Sequence, residues 1–348
     1  GPPPPGAARR APGARRPGGA GRRGGACAAL AVSLLLLPCT RASFAAEEPH
    51  PVRLVYFWPV QGFLLIPIVV AQEHGIYRRY GLDVSIVLPP DAQTTARMLA
   101  TGQADIGMEA RTDVVFAAEV SLPLISIANY DQHNSWCLVG RPGETIDLGA
   151  LKGKKIGIFT DSWTAVMMHL LFEKSGVKNA GDVQQIITQF EDLPLLLSGR
   201  LDLATNAAAF AIAASVAEEG KMPSLACPNV TGVPDIPIWS FTTTPRWLQS
   251  HGTDATAWLA ATREGLLWAM AHPSEAAALF SKVYPQVDSP TYDSSGWAAA
   301  VPYFGNEGTV LDQSPQSWSE LASEMHRIGL ISRIRPLSTY YTNNYLPR

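Results

Sequence analysis

Short apolar runs alternate with helical stretches along most of the chain. Val52 to Trp58, Val84 to Leu88, Ala104 to Met108 and Leu124 to Ala128 read as strands. Between them, Leu65 to Tyr77 is predicted as a helix with Ile66, Val69 and Val70 on one side, followed by a short helix at Gln93 to Ala100 and another near Val114 to Glu119. The pattern then restarts. Lys154 to Phe159, Val183 to Thr188 and Leu201 to Ala204 are predicted as strands; Trp163 to Lys174, Leu193 to Leu197 and Ala207 to Glu219 are predicted as helical, the first ending near Gly176. Beyond lie a strand at Ile238 to Thr242 and helices at Ala255 to Ala271, Ser274 to Val283 and Ser317 to Ile328. Helices between short apolar strands predict parallel sheets covered on both faces. Two such α/β units predict a two-lobed molecule, with ligands in the crevice beyond the carboxyl ends of the strands.

The first 45 residues break this pattern. They hold seven arginines and no acid, then an apolar run from Ala26 to Pro38 and small residues at Ala42, Ser43, Ala45 and Ala46. A basic start, a short apolar stretch and a small-residue cleavage site are expected of a secretory signal. Setting these residues aside changes the charge. Seven of the 27 bases and none of the 30 acids lie there, so the rest carries 20 bases against 30 acids, a formal charge of −10 rather than −3. A polyanion partner such as nucleic acid is thereby disfavoured, because phosphate binding needs a basic face. After the signal, no run of about 18 apolar residues offers a transmembrane helix.

Of the four cysteines, Cys27 and Cys39 fall in the export segment, and Pro38 before Cys39 argues against a lipid anchor there. An oxidising compartment would permit Cys137 and Cys227 to pair, but their spacing leaves a bridge and two buried thiols equally open. Catalytic signatures are thin: there is no Gly-x-Ser-x-Gly, His-Glu-x-x-His, Cys-x-x-Cys or phosphate loop, and the seven histidines lack metal-ligand spacing. No metal and no cofactor is predicted.

Several stretches resemble the THI5/NMT1-like family, whose bacterial branch is SsuA/THI5-like. They are Ile66-Pro-Ile-Val-Val-Ala-Gln-Glu-His-Gly-Ile-Tyr77, Tyr80-Gly-Leu-Asp-Val84, Thr101-Gly-Gln-Ala-Asp-Ile-Gly-Met108, Leu151-Lys-Gly-Lys-Lys-Ile-Gly157, Leu197-Ser-Gly-Arg-Leu-Asp202 and Tyr341-Thr-Asn-Asn-Tyr-Leu346. The resemblance implies an α/β, two-lobed periplasmic-binding-protein type II fold with hinge crossovers. On that fold, residues 50–136 and 234–348 would form a discontinuous first lobe and 137–233 the second. It also implies one of two functions. Bacterial members are mostly periplasmic receptors that hand thiamine pyrimidine precursors, flavins, sulfonates and related small solutes to an ABC permease in the inner membrane, usually as monomers. Fungal members are enzymes that build the thiamine pyrimidine, using a lysine just after the Gly-x-x-Asp-x-Gly element and a histidine four residues later. Glu109 and Asp113 stand at those positions here, and no cysteine cluster lies around Asp235 to Phe241, so no Schiff-base amine is offered. Leu64 and Leu65 fill a region where the receptors often carry a histidine.

Most candidate ligand-binding residues follow predicted strands; Trp239 lies in the returning crossover. Trp58, Gln61 and Phe63 follow the first, as an aromatic wall with one orienting amide or as caps of the core. Glu109 and Arg111 follow the third; Arg111 would clamp a carboxylate or pair locally with Asp113. Tyr130 is a stacking candidate, while the neighbouring His133 reads as a hydrogen-bonded hinge residue. In Thr160-Asp161-Ser162-Trp163-Thr164, Asp161 or Ser162 is expected as a helix N-cap, and Trp163 as the second half of an aromatic clamp. Asn206 would donate to and accept from a heterocycle, and Trp239 is an aromatic candidate equally suited to the core. The expected function is a solute receptor closing on a small heteroaromatic ligand. The rivals are a receptor for a flavin, aromatic acid, sulfonate or nitrate, a sensor module, or an enzyme.

Overall fold

In the computed structural model the described residues are 48–347, except 92–93, 160 and 189–191. The expected export segment, with Cys27 and Cys39, lies outside them. Four strands come first: β1 (His50–Val55), β2 (Leu82–Val87), β3 (Ile106–Ala110) and β4 (Ile125–Asn129). The chain then enters a second sheet through β5 (Trp136–Gly140), β6 (Lys155–Phe159), β7 (Gln184–Thr188), β8 (Leu203–Ala207) and β9 (Ser224–Ala226). It returns as β10 (Trp239–Thr243). The sheets have the orders β2-β1-β3-β10-β4 and β7-β6-β8-β5-β9. This is the mixed α/β periplasmic-binding-protein fold.

The expectation of purely parallel sheets is corrected. β1 runs parallel to β2 and β3, and β6 parallel to β7 and β8. β10, however, is antiparallel to both β3 and β4, and β5 antiparallel to both β8 and β9. β4 leads directly into β5, and β10 brings the chain back. A strand that has just crossed between sheets starts at their shared side, so it must run against its neighbours, which end there.

The Gly-x-x-Asp-x-Gly element has a packing explanation. Gly102 takes φ +73° at the end of the helix Thr95–Ala100, a left-handed conformation that glycine adopts without strain. The Asp105 carboxylate accepts three hydrogen bonds from Arg53, at 2.8 Å from its backbone N, 2.9 Å from Nε and 2.8 Å from Nη2. Gly107 lies on β3, where an added Cβ would come within 2.7 Å of Leu99 Cδ1. The motif therefore seats one helix against one strand.

Helix boundaries moved for local reasons. The predicted helix Leu65 to Tyr77 is two, Ile66–Glu73 and Ile76–Arg79, divided at Gly75, which takes φ +64°. The helix expected at Ala255 to Ala271 begins earlier, at Pro245, and runs to Ala271 with non-helical backbone at His251. A helix at Pro290–Ala300, absent from the sequence reading, packs on Ala208–Glu219.

Cys137 on β5 and Cys227, just after β9, are bonded with their Cα atoms 4.2 Å apart, resolving the alternative left open by spacing. β5 and β9 pair side by side, Leu138 opposite Ala226, which brings the two sulfurs together. The bond spans 90 residues, a long loop to close in the unfolded chain. Peptide mapping without reductant is expected to recover the two cysteines linked. Replacing both with alanine is expected to lower the unfolding free energy by roughly 2–5 kcal/mol in urea denaturation. An unchanged midpoint would contradict the bond's contribution.

Candidate functional site

A cavity of about 350 Å³ lies where the strand ends of the two sheets face each other. The ends of β1, β3, β6 and β8 reach it, as do the starts of β5 and β10, at Trp136 and Trp239. Nine aromatic residues line it. Phe57 stacks on Trp239, with ring centres 4.1 Å apart and planes 27° apart. Trp58 of the first sheet's side meets Phe159 of the second at 4.9 Å. Flat apolar faces thus come from both sheets, which suits a planar ligand buried between them.

The polar part of the wall is acidic. Glu109, Asp113, Asp161, Asp192, Glu218 and Asp288 line the cavity, and none of its described lining residues is Lys, Arg or His. Burial raises the Glu109 carboxyl well above the usual range, reinforced by the Asp113 charge and a hydrogen bond to Asp113. Asp113 is pushed up to about 6 by burial, opposed by hydrogen bonds from Ser162 and Glu109. Asp161 is also pushed to about 6 by burial, although its Oδ1 accepts from Thr164 N at 2.7 Å and its Oδ2 from Thr164 Oγ1 at 2.8 Å. Asp161 is therefore the N-cap of the helix Ser162–Ser175. Asp192 is raised by burial, and Asp288 to about 6 by burial and the charge of Asp293.

Of the expected residues, Trp58, Gln61, Glu109, Asp161, Trp163, Asn206 and Trp239 lie on this wall. Asn206 sits on β8 rather than after it. Its amide is turned inward: Nδ2 donates to Asp192 Oδ2 at 2.9 Å, and Oδ1 accepts from the backbone N of Ala207 at 2.9 Å. Four expected residues lie off the wall. Phe63 is fully buried against Phe210 and Tyr292. Tyr130 is buried, donates its hydroxyl to Leu64 O at 2.6 Å and packs on Phe241 and Phe304, so it is core rather than a stacking platform. Ser162 shares a hydrogen bond with Thr112, hydroxyl to hydroxyl, at 2.6 Å.

Arg111 departs furthest from expectation. It neither faces the cavity nor pairs with Asp113. Its guanidinium is fully buried 3.9 Å from the ring centre of Trp318, with Nη2 donating to Ser317 Oγ at 3.1 Å and Nη1 to Pro237 O at 3.4 Å. Burial lowers its pKa to about 9, opposed by the charge of Asp131. Asp131 in turn accepts from the backbone N–H groups of Ile238 and Trp239, both at 2.9 Å, and burial pushes it to about 8. His133 lies on the segment between β4 and β5 and is hydrogen-bonded, as expected, its Nδ1 lying 3.0 Å from Asp235 Oδ2.

Phe57, Trp136, Phe159, Phe210, Tyr292, Asp192 and Asp288 join the wall without having been singled out in the sequence. Phe57 and Phe159 stand next to predicted strand ends and were within reach of that rule. Asp288 and Tyr292 belong to a segment whose approach depends on the packing of the helix Pro290–Ala300.

This arrangement defines a two-sheet binding-protein fold with a solute-sized, aromatic and acidic cleft between its sheets. The family model described as NMT1/THI5 like matches residues 63–276, more than half of the chain, and the protein belongs to that family. A Haemophilus influenzae protein named putative thiamine biosynthesis protein is 24% identical over 306 residues, covering 87% of this chain and 94% of its own. The formylaminopyrimidine-binding protein of Halalkalibacterium halodurans is 23% identical over 308 residues, covering 85% and 91%. A Saccharomyces cerevisiae 4-amino-5-hydroxymethyl-2-methylpyrimidine phosphate synthase is 31% identical over 94 residues, covering only 26% of this chain and 28% of its own. Among solved structures, the periplasmic aliphatic sulphonate binding protein SsuA of Escherichia coli superposes with a TM-score of 0.64 at 16% identity, covering 82% of this chain and 94% of its own. That likeness is one of fold.

Two outcomes are expected. The folded protein holds a proton on Asp113 between about pH 4 and pH 6 that the unfolded chain has released, so this group's contribution to stability falls as pH rises through that window. Asp113→Asn should remove this cost, up to about 3 kcal/mol at pH 7. Melting temperatures of variant and wild type should then differ most at pH 7 and converge near pH 4; an equal difference at both would contradict it. Arg111→Ala should destabilise the fold by roughly 2–5 kcal/mol, because it empties a fully buried site, removes the contact with Trp318 and loses the bond to Ser317 Oγ. Chemical denaturation checks this, and a loss below 1 kcal/mol would contradict it.

Proposed function

We propose that this chain is an exported solute receptor that captures a small heteroaromatic solute between its two lobes and hands it to an ABC permease in the inner membrane. The observation that carries the reading is the cavity itself: about 350 Å³, walled by nine aromatic residues from both sheets, with six carboxyl groups and no Lys, Arg or His among its described lining residues. A ring sandwiched there would contact both lobes at once, and contacts made only in the closed arrangement are what favour closure. The lobes are residues 50–136 with 234–348, and residues 137–233. The solute we infer is a thiamine pyrimidine precursor, in keeping with the formylaminopyrimidine-binding relative.

The location proposed is the periplasm. The Cys137–Cys227 bond is of a kind that persists in oxidising compartments, and no helix among the described residues is long and apolar enough to cross a membrane. A sulfonate, nitrate or aromatic-acid receptor is disfavoured despite the fold likeness. An anionic solute needs a cation, and the one expected, Arg111, is buried against Trp318 instead. An enzyme acting through a lysine Schiff base is disfavoured in the same way, since no lysine is among the described lining residues. The working unit proposed is the monomer.

Thermal-shift measurement on the purified protein tests the reading. An aminopyrimidine at 100 times its Kd should stabilise the fold by roughly 2.7 kcal/mol, a rise of a few degrees for a chain of this size. Trp58→Ala should abolish the rise at the same concentration. Alkanesulfonates and nitrate should leave the melting temperature unchanged. A rise with the anions alone would overturn the assignment.

A further inference from the structure

None of the six carboxyl groups that line the cavity takes part in an ion pair among the described residues. Glu109, Asp113 and Asp288 come from the segments before β5 and after β10, and Asp161, Asp192 and Glu218 from the chain between β5 and β9 or its connections. The partners that the fold supplies are uncharged. Asp161 accepts from Thr164, and Asp192 Oδ2 accepts from Asn206 Nδ2 at 2.9 Å. Such bonds satisfy oxygens without compensating charge. Asp105, by contrast, is paired with Arg53, and Glu173 with Arg327.

One end of the cavity sets acids beside rings. The helices Ala208–Glu219 and Pro290–Ala300 pack together, and they bring Phe210 and Tyr292 onto the wall. Phe63, behind them, packs against both, with ring centres 4.6 and 5.8 Å away. Burial raises the Tyr292 hydroxyl, and the charges of Asp288 and Asp192 add to it, so both acids stand near this ring. An aromatic face and a carboxylate each attract positive charge, and more strongly where water is excluded. Burial pushes Asp113, Asp161 and Asp288 to about 6, so at pH 7 they are mainly ionised. The empty cavity therefore gathers like charges from both sides. A cation between them relieves the repulsion and favours the closed arrangement more than an uncharged ring of the same shape would.

We propose that the solute is bound as a cation: a heteroaromatic ring with a positive charge on itself or on a short substituent, that charge lying between Asp192 and Asp288 against the faces of Phe210 and Tyr292. This rests on the receptor reading and adds the charge of the ligand, which that reading leaves open. A neutral ring fills the same space but leaves the carboxylates uncompensated, and an anion meets like charge from both sides.

Isothermal titration of the purified protein at pH 7 tests the proposal with two matched pairs. The first is 4-amino-5-aminomethyl-2-methylpyrimidine, whose side amine is an ammonium, against its uncharged N-formyl derivative. The second is 1-methylnicotinamide, a permanent cation, against nicotinamide. In any pair that binds, the cation is expected to be held at least about 10-fold more tightly, within the range of a desolvated cation on aromatic faces and of hydrogen bonds to charged groups. Asp288→Asn, which keeps size and removes charge, should cut that preference about 5-fold or more and change the neutral partner's affinity by less than about 3-fold. Equal weakening of both partners would mark Asp288 as a packing residue and overturn its role. The wild-type comparison needs no variant, so it decides even if Asp288→Asn does not fold. A neutral partner bound as tightly as its cation would overturn the charge and leave the receptor reading standing. Binding of the nicotinamide pair alone, cation first, would uphold the charge and overturn the pyrimidine assignment. No binding of any of the four by folded protein would overturn both.

Discussion

Two chain segments cross between the sheets, and their mutual hydrogen bonding is the constraint on which the site depends. Asp131 on the first crossing accepts from Ile238 and Trp239 on the second, while Asp235 on the second accepts from Asn134 N on the first at 2.8 Å. The Asn134 side-chain amide adds a bond to Pro234 O at 2.8 Å. Carboxylate bonds to backbone N–H groups are among the stronger hydrogen bonds and fix direction as well as distance. They hold the first residues of β5 and β10 at the rim of the cleft, and those residues are the tryptophans Trp136 and Trp239. Arg111 belongs to this same structural layer. Its backbone N donates to Ile238 O at 2.8 Å, and its guanidinium braces the crossing against Trp318.

The cleft built on this hinge combines two properties that oppose each other in water. Aromatic faces favour the expulsion of solvent, and the carboxyl groups resist it. The conflict is eased by protons: burial raises Glu109, Asp113, Asp161, Asp192 and Asp288, and the hydrogen bond between Glu109 and Asp113 lets one proton serve two carboxyl groups. A wall of this kind offers hydrogen-bond acceptors to an uncharged ring, and its described lining residues include no cation to meet an anion.

Much of the fold was legible because it is written in local patterns. β1, β3, β6 and β8 are short apolar runs next to helices, and the rule that ligands gather at strand ends led to Trp58, Glu109 and Trp163. What escaped depends on distant partners. β5 consists of five buried residues beside the polar stretch from Asp131 to Ser135, without an alternating pattern, and its role as a strand appears only when β8 and β9 flank it. Arg111 looked like a ligand clamp because its ring partner, Trp318, lies 207 positions away. The sulfurs of Cys137 and Cys227 meet only because β5 and β9 are neighbours. Phe63 and Tyr130 had the right residue type at the right strand ends, but side-chain direction sent them into the core.

The strand order also dictates when the molecule can be finished. β10 lies between β3 and β4, so β4 has no strand beside it until residues near 243 arrive, and its isolated bridge from Ser126 is to Tyr341, later still. Sheets assembled from such remote pieces close slowly, because the entropy of bringing them together must be lost before any pairing is gained. The amino-terminal half of the chain therefore cannot complete its own sheet, however long it waits. A chain made from its amino terminus thus completes its first sheet only after its last strand, β10, has been added.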